Sequence, residues 1–154
     1  MTTTEEEIKA LEALCHTADS RPADVSAQIK AAYACDRLGE EHRACTYYER
    51  AWRLGVPQEA RRVFIVCFCS TLRNIARPAE ARDILQVAIK EAPDYLPYRV
   101  FLGLLCLDEQ DGVSAFQTLV EGLLTPQNAP LCDGFDDAIA HYTGALLPPR
   151  HHPS

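Results

Sequence analysis

A chain of 154 residues, 47% apolar and 24% charged, has the makings of one folded domain with a substantial core. Its net charge of −7 disfavours a general affinity for nucleic acid or for an anionic membrane surface. The longest apolar runs, Val63 to Cys69 and Val100 to Leu107, fall short of the about 20 residues that a membrane-spanning helix needs.

The opening MTTTEEEI is acidic and polar, not a basic stretch followed by an apolar one, so a cytoplasmic location is expected. Thr4 and Glu7 have the spacing of a capping box, in which each satisfies an unpaired backbone donor at a helix start. Ile8, Leu11 and Cys15 then line one face of a helix running to about Ala18, and Ser20, Arg21 and Pro22 break it.

A second helix is expected from about Asp24 to Leu38, a tight turn at Gly39, and a third helix from about His42 to Leu54. The next pair runs from about Glu59 to Ile75 and from Pro78 to Glu91, where proline in the first turn loses no backbone donor. A last pair runs from about Tyr95 to Leu107 and from Val113 to Leu124. Thr125 to Asp133 lacks periodicity and reads as a loop. Phe135, Ala138, Ile139, Tyr142 and Leu146 recur at helical spacing, which predicts a terminal helix over about 134–146 with one apolar face. Such a helix is expected to cap the exposed end of a helical stack, and 148–154 to be a disordered tail.

One stripe recurs through these elements. Ala44, Tyr48 and Ala51 are followed by Ala81, Leu85 and Ala88 and then by Ala115, Leu119 and Gly122, at steps of 37 and 34 residues. A small, a large and a small residue on one helix face let antiparallel helices approach closely. The seven cysteines, an odd number, fall mostly on apolar helix faces, as expected of reduced thiols packed as small hydrophobes.

This pattern resembles the tetratricopeptide repeat, whose period is about 34 residues. Phe68, Cys69, Ala81, Leu85, Ala88 and Pro93 fit its motif in the middle repeat. Leu102, Gly103, Ala115, Leu119 and Gly122 fit it in the third, and Ala31, Ala32, Ala44, Tyr48 and Ala51 in the first. Segments such as AYACDRLG, YYERAWRLGV and YRVFLGLLCL also resemble a small bacterial group of single-domain members with no common established activity. The resemblance implies an all-α fold, a right-handed α-α superhelix of about three helix pairs over 25–57, 62–94 and 96–125. An N-terminal helix and a C-terminal capping helix complete a single domain over 1–147. The chain departs from the pattern at Ala76, where glycine is expected, and at Leu107 to Gln110, where an asparagine-leucine-glycine turn is more usual.

The resemblance also implies a concave groove lined by the first helix of each pair. Its residues here are Ser26, Ile29, Lys30, Tyr33, Asp36 and Arg37, then Val63, Val66, Cys67, Ser70, Arg73 and Asn74. Pro97, Val100, Phe101, Leu104, Leu107 and Asp108 follow in the third repeat, so the groove is polar at one end and apolar at the other. Tyr33, Arg37, Ser70, Arg73 and Asn74 are the candidate partner-binding residues. The lysine, asparagine and arginine clamp with which some members grip a peptide carboxylate is absent, because Ile29, Tyr33, Ser70, Pro97 and Phe101 stand in its places.

Arg61, Arg62, Arg73, Arg77 and Arg82 are opposed by Glu80 alone between 61 and 82, and 100–149 contains no lysine or arginine. That asymmetry suits a charged partner or a head-to-tail homo-oligomer. Cys67 and Cys69 lack zinc-site spacing, Glu41, His42 and Cys45 have no second cluster, and His151 and His152 read as a solvated tail, so no metal site is expected. No glycine-rich phosphate loop or paired-carboxylate signature exists, so neither a cofactor nor a catalytic residue is expected. The reading is a non-catalytic module or scaffold that binds a protein or peptide. The alternatives are a small secretion-type chaperone and, behind it, a small-molecule binding protein or enzyme.

Overall fold

The computed structural model describes residues 4–145. Leu146, the end of the expected domain at 147, and the tail 148–154 with His151 and His152 lie outside the described residues. The described residues are helical throughout, with no strand: α1 (Glu5–Ser20), α2 (Val25–Arg37), α3 (Glu41–Leu54), α4 (Gln58–Asn74), α5 (Pro78–Glu91), α6 (Leu96–Asp108), α7 (Gly112–Leu123) and α8 (Asp136–Ala145). The expected boundaries hold to within about two residues, and α5 has its predicted ends. A short 3-10 helix, Ala129–Cys132, lies in the stretch expected to be plain loop. Asn128 orders that stretch by donating from Nδ2 to the carbonyls of Asp94 at 3.0 Å and Gly122 at 2.9 Å.

Local chemistry sets the helix starts. Thr4 and Glu7 form the capping box, with Thr4 N donating to Glu7 Oε2 at 2.8 Å and Glu7 N donating to Thr4 Oγ1 at 3.2 Å. Asp24 and Asp111 cap α2 and α7 by accepting from Ala27 N and Ser114 N, each at 3.0 Å.

The first helix of every pair ends the same way. Gly39, Ala76 and Gln110 have φ of 77°, 60° and 61°, and they stand at the repeat's own steps of 37 and 34 residues. The amides after them close back on the helix, Glu40 N to Cys35 O at 2.9 Å, Arg77 N to Leu72 O at 2.8 Å and Asp111 N to Cys106 O at 2.9 Å. These are three Schellman ends, and only the first has the glycine that a left-handed residue favours. The departures at Ala76 and Gln110 therefore change the residue and not the turn.

The helices fall into two compact units, with the boundary inside α5 between Ala81 and Arg82. In the first unit Tyr48 is fully buried, its ring 5.3 Å from Phe64 and 5.5 Å from Phe68. Ala32, Ala44 and Ala51 are each 0% exposed, as close helix packing requires. Gln28 is buried as well, and its Nε2 donates to Ala18 O at 2.7 Å, closing the end of α1. The buried thiols of Cys15 and Cys35 lie 3.6 Å apart between α1 and α2.

In the second unit Leu85, Leu105 and Tyr98 form the buried centre, and Gly103 meets the backbone of Ala115 where α6 crosses α7. Leu119, the large residue of the third stripe, is 39% exposed although its counterparts Tyr48 and Leu85 are fully buried. α8 packs on α7, yet Phe135 and Tyr142 on its apolar stripe are 65% and 70% exposed.

Candidate functional site

On α2, Tyr33, Asp36 and Arg37 share a face by their spacing of three and four residues, and on α4 Val63 and Cys67 do the same. The two faces border a shallow, open pocket of about 290 Å³ lined by these five residues. Tyr33 and Val63 give it an apolar wall, and Asp36 and Arg37 give it a polar edge.

The floor is held from below. Tyr48 Oη donates to Asp36 Oδ2 at 2.8 Å, and its ring meets that of Tyr33 edge to face with centroids 6.0 Å apart. Burial, and then the nearby Cys67, push the Tyr33 phenol up to about 12. Burial raises the Cys67 thiol too, with the Asp36 carboxylate adding to the effect and the nearby Tyr48 hydroxyl opposing it. Both groups therefore keep their protons near neutral pH, and the thiol is a poor nucleophile there. The pocket offers an apolar slot, two neutral donors, one carboxylate held by Tyr48 and one exposed guanidinium.

Of the five residues expected to bind a partner, Tyr33 and Arg37 come together in this pocket. Ser70, one turn beyond Cys67 on α4, is half-buried and outside it. Arg73 is half-buried, and Asn74 is exposed with its Nδ2 donating to Glu41 Oε1 at 2.8 Å, which ties the end of α4 to the start of α3. Asp36, Val63 and Cys67 complete the pocket from the wider groove set. Tyr48 had no signal as part of a site, because its stripe marks it as core; only its hydroxyl reaches the pocket edge. In the second unit, Val100 and Leu107 of the expected groove are 42% and 54% exposed on α6.

The arginine band expected over 61–82 is extensively paired. Arg77 bonds Glu49 at 2.8 Å and Glu80 at 2.6 Å, Arg82 bonds Glu109 at 2.7 Å, and Arg61 lies 5.1 Å from the centre of the Trp52 ring. Glu49 and Glu109 stand outside that band in the sequence, so its local excess of charge is offset by residues of α3 and of the turn after α6. Among the described residues no group of three or more histidine, cysteine and acidic side chains is placed to hold a metal ion. No helix among them is long and apolar enough to cross a membrane.

A family model described as Tetratrico peptide repeat matches residues 25–128. Comparison with curated proteins returns no match.

Proposed function

Because the chain belongs to the tetratricopeptide repeat family, whose members serve in general as protein interaction modules, we propose that it binds a protein partner through the α2 and α4 face. The observation that carries this reading is the pocket of about 290 Å³ between Tyr33, Arg37 and Cys67. An apolar side chain of an extended peptide enters between Tyr33 and Val63, and an acidic group of the same peptide meets Arg37. Ser70 and Arg73, farther along α4, extend the contact, with Asn74 at its margin.

All seven cysteines are free, which supports action in a reducing compartment such as the cytoplasm. The test is affinity capture from the native host with the unaltered chain and with Tyr33→Ala and Arg37→Ala. The captured partner's peptide is then titrated against the purified proteins. The reading requires that both substitutions weaken that peptide by roughly tenfold or more. Equal binding by all three proteins would overturn it.

A further inference from the structure

Among the described residues, the second unit carries an exposed apolar surface that the proposed pocket does not use. Phe116 on α7 and Phe135, Ala138, Ile139, Tyr142 and Thr143 along α8 line a trough of about 480 Å³. Phe116, Phe135 and Tyr142 are 50%, 65% and 70% exposed. Aromatic surface gathered in one concavity and left in water marks an interaction site more often than scattered exposure does.

The first unit shows how such a surface is covered. In the first unit the large residue of the stripe, Tyr48, is sealed by the rings of α4. In the second unit α8 comes after α7, but Leu119 stays 39% exposed, and no helix succeeds α8 among the described residues. The ten residues of α8 span about 15 Å, the length of nearly three helical turns.

Charge identifies the occupant. Between 100 and 145 there are seven acidic residues and no lysine or arginine. Three of them, Asp133, Asp136 and Asp137, flank Phe135 at the start of α8. A second copy placing the same face here would set acid against acid, and an anionic lipid surface would be repelled in the same way. We propose that the trough between α7 and α8 is a docking site for a basic amphipathic helix of a partner protein. Its apolar residues at i, i+3, i+4 and i+7 seat against Phe116, Ile139 and Tyr142, and its lysines or arginines meet Asp133 and Asp136 at the α8 start, since Asp137 lies on the opposite face of that helix.

The test uses the full chain and a labelled synthetic helix of about three turns with leucine at those positions and lysine elsewhere. One control peptide replaces every lysine by glutamate, and another has the same composition in scrambled order. The expected result is saturable binding of the leucine-lysine helix, weakened as sodium chloride is raised, with neither control bound. Phe116→Ser and Tyr142→Ser alter exposed positions; each should retain the native circular dichroism spectrum and weaken binding by roughly tenfold or more. Tyr33→Ala should bind this helix unchanged, which separates the trough from the pocket on α2 and α4. Equal binding of the scrambled peptide, or no loss in the two serine variants, would overturn the proposal. So would a concentration-dependent dimer in sedimentation that Tyr142→Ser abolishes, since the occupant would then be a second copy.

Discussion

The phenol of Tyr48, fully buried, donates a 2.8 Å hydrogen bond to Asp36 Oδ2 at the edge of the pocket. One residue thus joins the core of the first unit to the candidate site. Tyr48→Phe keeps the ring contacts and removes only this bond. Because Asp36 is half-exposed and can turn to water, the loss in stability should be modest, about 1 kcal/mol in urea unfolding. Tyr48→Ala removes the packing as well and should lose about 3–5 kcal/mol. Equal losses in the two variants would show that ring packing contributes nothing.

The left-handed turns at Ala76 and Gln110 carry side chains that disfavour that conformation, with φ of 60° and 61°. Ala76→Gly and Gln110→Gly should each stabilise the chain by about 0.5–1 kcal/mol, the relief of strain exceeding glycine's greater freedom in the unfolded state. Gly39→Ala should do the opposite by a similar amount. Melting temperatures of the three variants decide it, and the sign should reverse between the first two and the third.

Gly122 is buried on α7, and a Cβ there would clash with Arg99 Cδ and lie 3.0 Å from Leu96 Cδ2. Arg99 is confined, with 13% of its side chain exposed and an ion pair to Glu121 at 3.3 Å. Gly122→Ala should therefore destabilise by about 1–3 kcal/mol, as overpacked sites do. Arg99→Ala in the same chain should recover part of that loss, which a double-mutant cycle would measure.

Several buried acids hold protons that the unfolded chain releases. Burial raises Cys45 to about 11 and Cys69 to about 12 from an ordinary 9.0, and Tyr33 to about 12 from 10.0. Their contribution to stability is complete below about pH 9 and falls as the pH rises toward 11 to 12. Unfolding midpoints measured from neutral to strongly alkaline pH should decline in that window. Cys69→Ala removes one such proton and should make the decline shallower.

The helices were legible because their signals are local. Thr4 with Glu7, Pro78 and the stripe residues Ala44, Tyr48 and Ala51 each announce a start or a face within a few positions. What the pattern does not carry is partnership across helices. Arg77 with Glu49, Asn74 with Glu41 and Tyr48 with Asp36 depend on how helices align, and periodicity reports which face is apolar, not which atom it meets. The candidate site was half legible for the same reason. Tyr33 and Arg37 share a helix face that can be read from spacing, whereas the approach of Val63 and Cys67 needs the packing of α4 against α2. The apolar stripe of α8 was readable as well, but its exposure was not, since exposure depends on which elements pack against that stripe.

The three Schellman ends separate a repeat from the glycine that usually advertises it. Glycine, alanine and glutamine occupy the left-handed position, while four residues earlier Cys35, Leu72 and Cys106 are all buried and all supply the accepting carbonyl. A helix anchored by a buried residue at that point reverses direction whatever side chain stands at the turn. Divergent copies of such a unit will escape a search keyed to glycine, and the apolar anchor four positions upstream is the more durable landmark for detecting them.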